Sequence, residues 1–226
     1  NKIFMYNSAN QYRLDKVKSL NANLILTDPH NAFEDVKKAS KKDGYYFIHP
    51  FDGQFTIQGT ASLGFEICEQ MENIDNVIIS VGGGGLIAGV GSIIRQKFPH
   101  CNIIGVEPEG AKGLSESIIQ KKPLSRVNIN SIADSLCAPL HMPYSFSICL
   151  NVINEMIQIS DEEMKKTMKF MFEHYKFVLE PACIVGIAAL LGPLKNRFQN
   201  QNTLVILCGS NIDMKTWQSL TKDQNS

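Results

Sequence analysis

No stretch of this 226-residue sequence has the length of a membrane span. ACIVGIAALLG (residues 182–192), its longest uncharged apolar stretch toward the C-terminus, falls short of the roughly 18 residues a span needs. An excess of either charge is missing too: Lys+Arg number 22 and Asp+Glu 22, so the electrostatic footprint of a nucleic-acid or anionic-membrane binder is excluded. The six cysteines (Cys68, Cys101, Cys137, Cys149, Cys183, Cys208) form no CxxC pair and have no histidine at ligand spacing. That excludes a disulfide framework and a zinc site, and fits a reducing, cytoplasmic compartment. Internal repeats and low-complexity linkers are absent. The opening, NKIFMYNSANQYRL, has neither an initiator Met nor a secretory apolar region, and reads as a chain entered midway. What is present is a 44% hydrophobic composition, enough for one good core or for one large and one small lobe.

Along the chain, β-like runs alternate with helical patterns. LDKVKSLNA reads as helix, NLILT (residues 23–27) as a buried strand, NAFEDVKKASKKDG as a helix stopped by Gly44, and YYFI (residues 45–48) as a strand. Pro50 and Gly53 mark a break. Then follow a helical QGTASLGFEICEQM, a strand NVIISV (76–81), a helix LIAGVGSIIRQKF and a strand NIIGVE (102–107). Residues 160–177 predict a helix opened by a capping box of Ser160 and Glu163, with Met164, Met168, Met171, Phe172 and Tyr175 on one face as core filler. TLVILC (203–208) predicts a last strand. The alternation implies an α/β fold: a mostly parallel open sheet with helices on both faces, plus half of a smaller α/β domain.

Four glycines, Gly82 to Gly85, lie between the strand 76–81 and the helix after it. Parallel sheets bind ligands at the carboxyl ends of their strands, and a helix N-terminus offers free N–H groups at the positive end of its dipole. Glycines let those N–H groups converge on an anion without Cβ atoms in the way, so a phosphate is the natural guest. A P-loop is excluded, since no Lys-Ser or Lys-Thr follows. A dinucleotide fingerprint stays open, because Gly83, Gly85 and Ala88 fit G-x-G-x-x-A and Glu107 ends the next strand where a ribose-binding carboxylate would stand. Residue spacing does not choose between a nicotinamide dinucleotide and another phosphorylated cofactor.

SVGGGGLIAG resembles the phosphate loop of the fold type II pyridoxal-phosphate enzymes, the tryptophan synthase β superfamily, in its serine/threonine dehydratase and serine racemase branch. Further segments resemble that family in the same order: FIHPFD (47–52), QGT (58–60), GVEPEGA (105–111), IADSLCAP (132–139), LEPACIVGIAALL (179–191) and LCGSNID (207–213). The resemblance implies pyridoxal 5'-phosphate as cofactor, its phosphate held by Gly82, Gly83, Gly84, Gly85 and the N–H of Leu86. It places Cys208 beside the pyridine nitrogen, Glu180 near the ring and Ser210 in the pyridine-side turn. A neutral S–H there donates to an unprotonated ring nitrogen and leaves a weak electron sink, suited to rapid loss of a β-hydroxyl. A divalent-cation site is implied at Glu107 and Ala111, but Gly113 stands where the family has the third ligand, an aspartate, and one charged ligand is thin for a hard cation. Ser135 replaces a usual glycine.

The family's Schiff-base lysine segment, Ser-x-Lys-x-Arg-Gly, is expected to be missing. Lys195-Asn196-Arg197 lacks its flanking Ser and Gly and reads as a surface charge pair. Residues 1–53 are expected to form the second half of a small domain and residues 54–226 most of a large cofactor domain, with no room after Asp213 for a regulatory domain. The implied activity is that of an ammonia-lyase taking a small 2-amino-3-hydroxy acid to a 2-oxo acid and ammonia, as a homodimer in the complete enzyme, with residues 1–226 alone inactive. Alternatives are a serine racemase-like enzyme, a non-catalytic truncated homologue and a nicotinamide oxidoreductase.

Overall fold

In the computed structural model, which describes residues 1–7, 9–28 and 31–222, the chain divides into two compact units: residues 1–48 with 211–213, and residues 49–210 with 214–226. The smaller unit is a βαβ arrangement. Strand β1 (Lys2–Tyr6) pairs in parallel with β2 (Asn23–Thr27), joined by helix α1 (Gln11–Ser19), whose N-cap Asn10 accepts from the Tyr12 N–H. Helix α2 (Ala32–Asp43) stops at Gly44, which adopts a left-handed φ of 70°. Lys2 Nζ reaches Asp43 at 2.6 Å, fastening the end of α2 to the start of β1.

The larger unit holds a four-stranded parallel sheet in the order β5-β4-β3-β6. Its strands are β3 (Asn76–Ser80), β4 (Asn102–Pro108), β5 (Glu155–Ile159) and β6 (Thr203–Val205). Every residue of β3 is buried, the signature of a strand covered on both faces. The helices are α3 (Gln54–Gln70), α4 (Gly85–Lys97), α5 (Gly113–Ile119), α6 (Pro143–Val152), α7 (Asp161–Tyr175), α8 (Pro181–Leu191) and α9 (Met214–Thr221). Helix α4 lies on β3 with α3 and α6 against it, whereas α8 runs over β3, β4 and β5 and is backed by α7. The result is the expected α/β sheet with helices on both faces. Ile57, Val77, Ile79, Ile87, Val90, Ile94 and Ile103 belong to one continuous core cluster.

Several expectations need correction. Residues 45–48 form no strand: Tyr46 and Ile48 are 70% and 73% exposed, and the small sheet pairs only β1 with β2. The aromatic and β-branched run misled because strand propensity needs a partner strand to act on. The last strand ends at Val205, after which Ile206 N–H still bonds the Ile78 carbonyl, at 3.2 Å. Helix α3 starts four residues before residue 58, directly after Gly53, whose φ of 86° turns the chain into it. In α7 the capping box forms and Met164, Met168 and Met171 are buried, but Phe172 and Tyr175 are exposed; Phe172 instead packs on Trp217 of α9, centroids 5.0 Å apart. β1, α5, α6 and β5 carried too little periodic signal to be foreseen.

Candidate functional site

Strands β3 and β6 are parallel neighbours, so the chain leaves the sheet at two adjacent points along one edge: residues 81–85 after β3 and residues 206–210 after β6. Carboxyl ends of parallel strands are where ligands bind in open α/β sheets. At the first exit, Gly84 takes a φ of 93° and caps α4, which begins at Gly85. The first intrahelical bond runs from Ala88 N–H to the Gly84 carbonyl at 3.0 Å. Among the described residues, the N–H groups of Gly82, Gly83, Gly84, Gly85 and Leu86 meet no protein acceptor. Five donors at the positive end of a helix dipole form an anion cradle. Just before them, Ser80 Oγ is buried with no hydrogen-bond partner among the described residues.

The glycines are also bare because protein packs against them, a reason the sequence did not disclose. A Cβ on Gly83 would enter the Phe51 ring, one on Gly85 would lie 2.8 Å from Phe51 Cα, and one on Gly82 would lie 2.9 Å from Leu136 Cα. Phe51 is held in turn: its N–H and that of Asp52 donate to His49 Nδ1 at 3.3 and 3.0 Å, and Asp52 Oδ1 accepts from Ser145 N–H at the start of α6. Thr60 Oγ1 donates to the Gly85 carbonyl at 2.9 Å, and Cys149 Sγ to the Gly84 carbonyl at 3.5 Å. The buried imidazole of His141 faces the Gly83 carbonyl, with Nδ1 unpartnered among the described residues; burial pushes its pKa down to about 4. The segments FIHPFD, QGT and IADSLCAP therefore buttress the loop. Phe51, Asp52, Thr60, Leu136, His141 and Cys149 were not singled out beforehand, for the contacts that give them a role join residues far apart in the chain.

At the second exit, Glu180 is buried and caps α8, with Pro181 at the first helical position, where its missing N–H costs nothing. Glu180 N–H donates to the Gly209 carbonyl at 3.4 Å, and a Cβ on Gly209 would collide with the Glu180 carboxyl group. Cys183, in the first turn of α8, is fully buried and its thiol is hydrogen-bonded to that of Cys208, an exposed residue. That bond draws the Cys183 pKa down to about 7, while the same bond and burial push the Cys208 thiol upward. Ser210 lies two residues on and is exposed. Cys208 and Ser210 thus lie in one segment against which Glu180 packs, beside the glycine loop along the sheet edge.

Glu107 stands apart from this arrangement in its bonding. Fully buried, it accepts from Leu114 N–H through Oε2 and from Ser115 N–H through Oε1, each at 3.2 Å, at the start of α5. Burial pushes its pKa up to about 7. Ala111 is buried in a short 3-10 turn, and a side chain on Gly113 would meet His141 Nε2 and Val127 Cγ2, both at 2.6 Å. An aspartate at position 113 does not fit this packing. Among the described residues no group of three or more His, Cys, Asp or Glu side chains is arranged to hold a metal ion, and no helix is long and apolar enough to cross a membrane.

The fold and the two loops define an open α/β protein with an anion cradle at its sheet edge. The family model "Pyridoxal-phosphate dependent enzyme" matches residues 2–209, and the chain belongs to that family. Among curated proteins it is 37% identical over 217 residues to phenylserine dehydratase of Ralstonia pickettii, covering 96% of this chain and 67% of that protein. It is 30% identical to the biosynthetic, chloroplastic threonine dehydratase 2 of Solanum lycopersicum, covering 98% of this chain and 38% of that one. The chain therefore spans between about two fifths and two thirds of the length of these relatives. Among solved structures, the processed form of threonine deaminase isoform 2 from Solanum lycopersicum superposes with a TM-score of 0.87 at 32% identity, covering 97% of this chain and 65% of that one. Maize serine racemase gives 0.86 at 27%, covering 97% and 68%. The unsatisfied N–H groups of residues 82–86 and the orphan hydroxyl of Ser80 fit a phosphorylated cofactor of this kind.

Proposed function

We propose that the protein is a pyridoxal-phosphate-dependent ammonia-lyase of the serine/threonine dehydratase type, acting on a small 2-amino-3-hydroxy acid. The observation that carries this reading is the row of unsatisfied N–H groups from Gly82 to Leu86 at the end of β3, in a chain of this family. Those groups would receive the cofactor phosphate without any cationic side chain, as helix N-termini do. Bound there, pyridoxal phosphate supplies the electron sink for chemistry at the substrate α-carbon. The Cys208 thiol would donate to its ring nitrogen. A thiol whose pKa is pushed upward stays protonated at neutral pH, so it remains a donor and leaves the nitrogen uncharged. Glu180, fixed by Gly209, would border the ring, and Ser210 would close the turn. Glu107 is assigned the role of capping α5 rather than of binding a cation or a ribose, since both of its oxygens are taken by main-chain N–H groups.

The test is to supply the complete protein and cofactor with phenylserine, threonine and serine and to follow 2-oxo acid and ammonia. Release of both from at least one of them is expected; binding of cofactor with no release from any overturns the lyase reading. A second reading, an amino-acid racemase, is favoured by the likeness to maize serine racemase and predicts the opposite enantiomer as product instead. Borohydride reduction followed by peptide mapping identifies the amine that holds the cofactor. A labelled lysine within residues 1–226 overturns the expectation that they lack it.

A further inference from the structure

Residues 124–141 form a loop that is closed at its neck and strapped to the turn after β4. At the neck, His141 N–H donates to the Leu124 carbonyl and Val127 N–H to the Pro139 carbonyl, both at 2.8 Å. The loop is tied to residues 110–117 by Asn130 N–H, which donates to the Gly110 carbonyl at 2.8 Å, and by Leu124 N–H, which donates to Ser117 Oγ at 3.2 Å. Ser117 Oγ in turn donates to the Gly113 carbonyl at 2.7 Å. The far part of the loop carries Leu136, the residue that packs behind Gly82. Whatever fixes the neck therefore also steadies one wall of the anion cradle.

The resemblance that gives Glu107 and Ala111 a cation also asks for an aspartate at position 113. Gly113 is not in the left-handed region, so its backbone would accept any side chain. What excludes one is packing: His141 Nε2 and Val127 Cγ2 each stand 2.6 Å from the place of its Cβ, and both residues are buried. The Glu107 carboxylate is meanwhile spent on the Leu114 and Ser115 N–H groups, with Ser115 Oγ held by Gln158 Nε2 at 2.7 Å. A hard cation that wants about six oxygen ligands would find one carboxylate, already engaged, and an imidazole and a valine in the place of the second.

We propose that the side chains of His141 and Val127 take the place of that cation. Wedged against Gly113, they brace the loop 124–141 on the turn 110–117, and the fold and its cofactor cradle are independent of divalent cations. A packed plug needs no charged ligands, which accounts together for the glycine at 113 and for a Glu107 turned to capping α5. The inference concerns the loop and not the reaction, so it stands whether the protein is a lyase or a racemase.

The complete protein is cleared with EDTA, and its thermal midpoint and pyridoxal-phosphate affinity are measured in magnesium, calcium or manganese chloride against sodium chloride of equal ionic strength. At about 10 mM cation, tenfold above the dissociation constants of weak protein sites, neither quantity should change. A midpoint raised by about 3 °C or more, the shift such saturation gives, or a cofactor affinity that follows the cation, overturns the proposal. The converse is to open the site. Gly113→Asp alone should lower the midpoint, because its side chain meets both neighbours. Combined with Val127→Ala and His141→Ala it has room for its carboxylate, and should gain the cation-dependent rise that the wild type lacks; Gly113→Asp with His141→Ala serves should the triple variant fold poorly. Loss of packing by itself would not create that response. A folded variant that remains indifferent to all three cations overturns the assignment of His141 and Val127 as what closes the site.

Discussion

Residues 82–86 and residues 206–210 leave the sheet side by side, yet the first group presents main-chain N–H donors while the second presents side chains, Cys208 and the Glu180 and Cys183 that pack on it. The glycine loop is rigid because its neighbours occupy the places its Cβ atoms would take. No titration or oxidation of a side chain can alter its donors. The second segment would be the reverse: in the proposed function its donor is a side chain, the exposed Cys208 thiol. In the proposed function, a main-chain cradle would make recognition of the phosphate independent of side-chain protonation, while a side-chain donor would leave the electronic end of the cofactor adjustable.

The sharpest way to break this contrast is to fill the loop. Gly83→Leu would drive a side chain into the Phe51 ring, and we expect a loss of stability of at least about 3 kcal/mol, the upper range for overpacking, together with loss of cofactor binding. Urea denaturation checks the first and a cofactor titration the second. Adding Phe51→Ala should recover part of the stability, which would locate the conflict between these two residues.

Next in size is a pH effect. His141 is pushed down from 6.5 to about 4 by burial, so the folded chain refuses a proton that the unfolded chain accepts. The contribution of His141 is complete above pH 6.5 and falls as the pH drops from 6.5 toward 4, by about 3 kcal/mol over the window. Glu107, pushed up to about 7, shifts stability the opposite way over the same range, so the check is the difference in unfolding free energy between wild type and His141→Gln measured against pH, which should carry this decline. A difference between wild type and His141→Gln that is the same at pH 4.5 as at pH 7 would remove His141 from the support of the loop.

A milder change sharpens the comparison. Gly84→Ala keeps the loop small but puts a Cβ at a φ of 93° and 3.0 Å from Cys149 Sγ. The left-handed backbone alone costs roughly 1–2 kcal/mol. Thermal unfolding should show that loss, with Cys149→Ala in the same chain relieving only the steric part.

How much of this was legible beforehand follows from the same distinction. The strand–loop–helix placement of the glycine run after NVIISV was legible, because a strand, a bare turn and a helix are all local patterns. The capping box of α7 was equally legible, being two residues three apart. The buttress was not legible: Phe51 on Gly83, Leu136 on Gly82 and Cys149 on Gly84 join residues 32, 54 and 65 positions apart, and no periodicity encodes them. Residues 45–48 failed for a related reason, since strand propensity is expressed only where another strand offers hydrogen bonds. Cys208 came into view through the resemblance alone, and the pairing with Cys183 needed α8 laid against the end of β6.

The smallest expected effect bears most directly on the second turn. If the Cys208 thiol donates to the ring nitrogen, what matters is the donor and not the sulfur. Cys208→Ser retains an O–H and should bind pyridoxal phosphate within about threefold of wild type, while Cys208→Ala removes the donor and should bind about tenfold more weakly, one neutral hydrogen bond's worth. Cys208→Ala also leaves Cys183 without that donor, so its pKa should rise from about 7, a change followed by the pH dependence of alkylation. Equal cofactor affinity for Ser and Ala, with the Cys183 shift intact, would mean that the thiol pair exists but does not touch the cofactor. The ring nitrogen would then have to be met by another donor in the turn, with the hydroxyl of Ser210 the next to test.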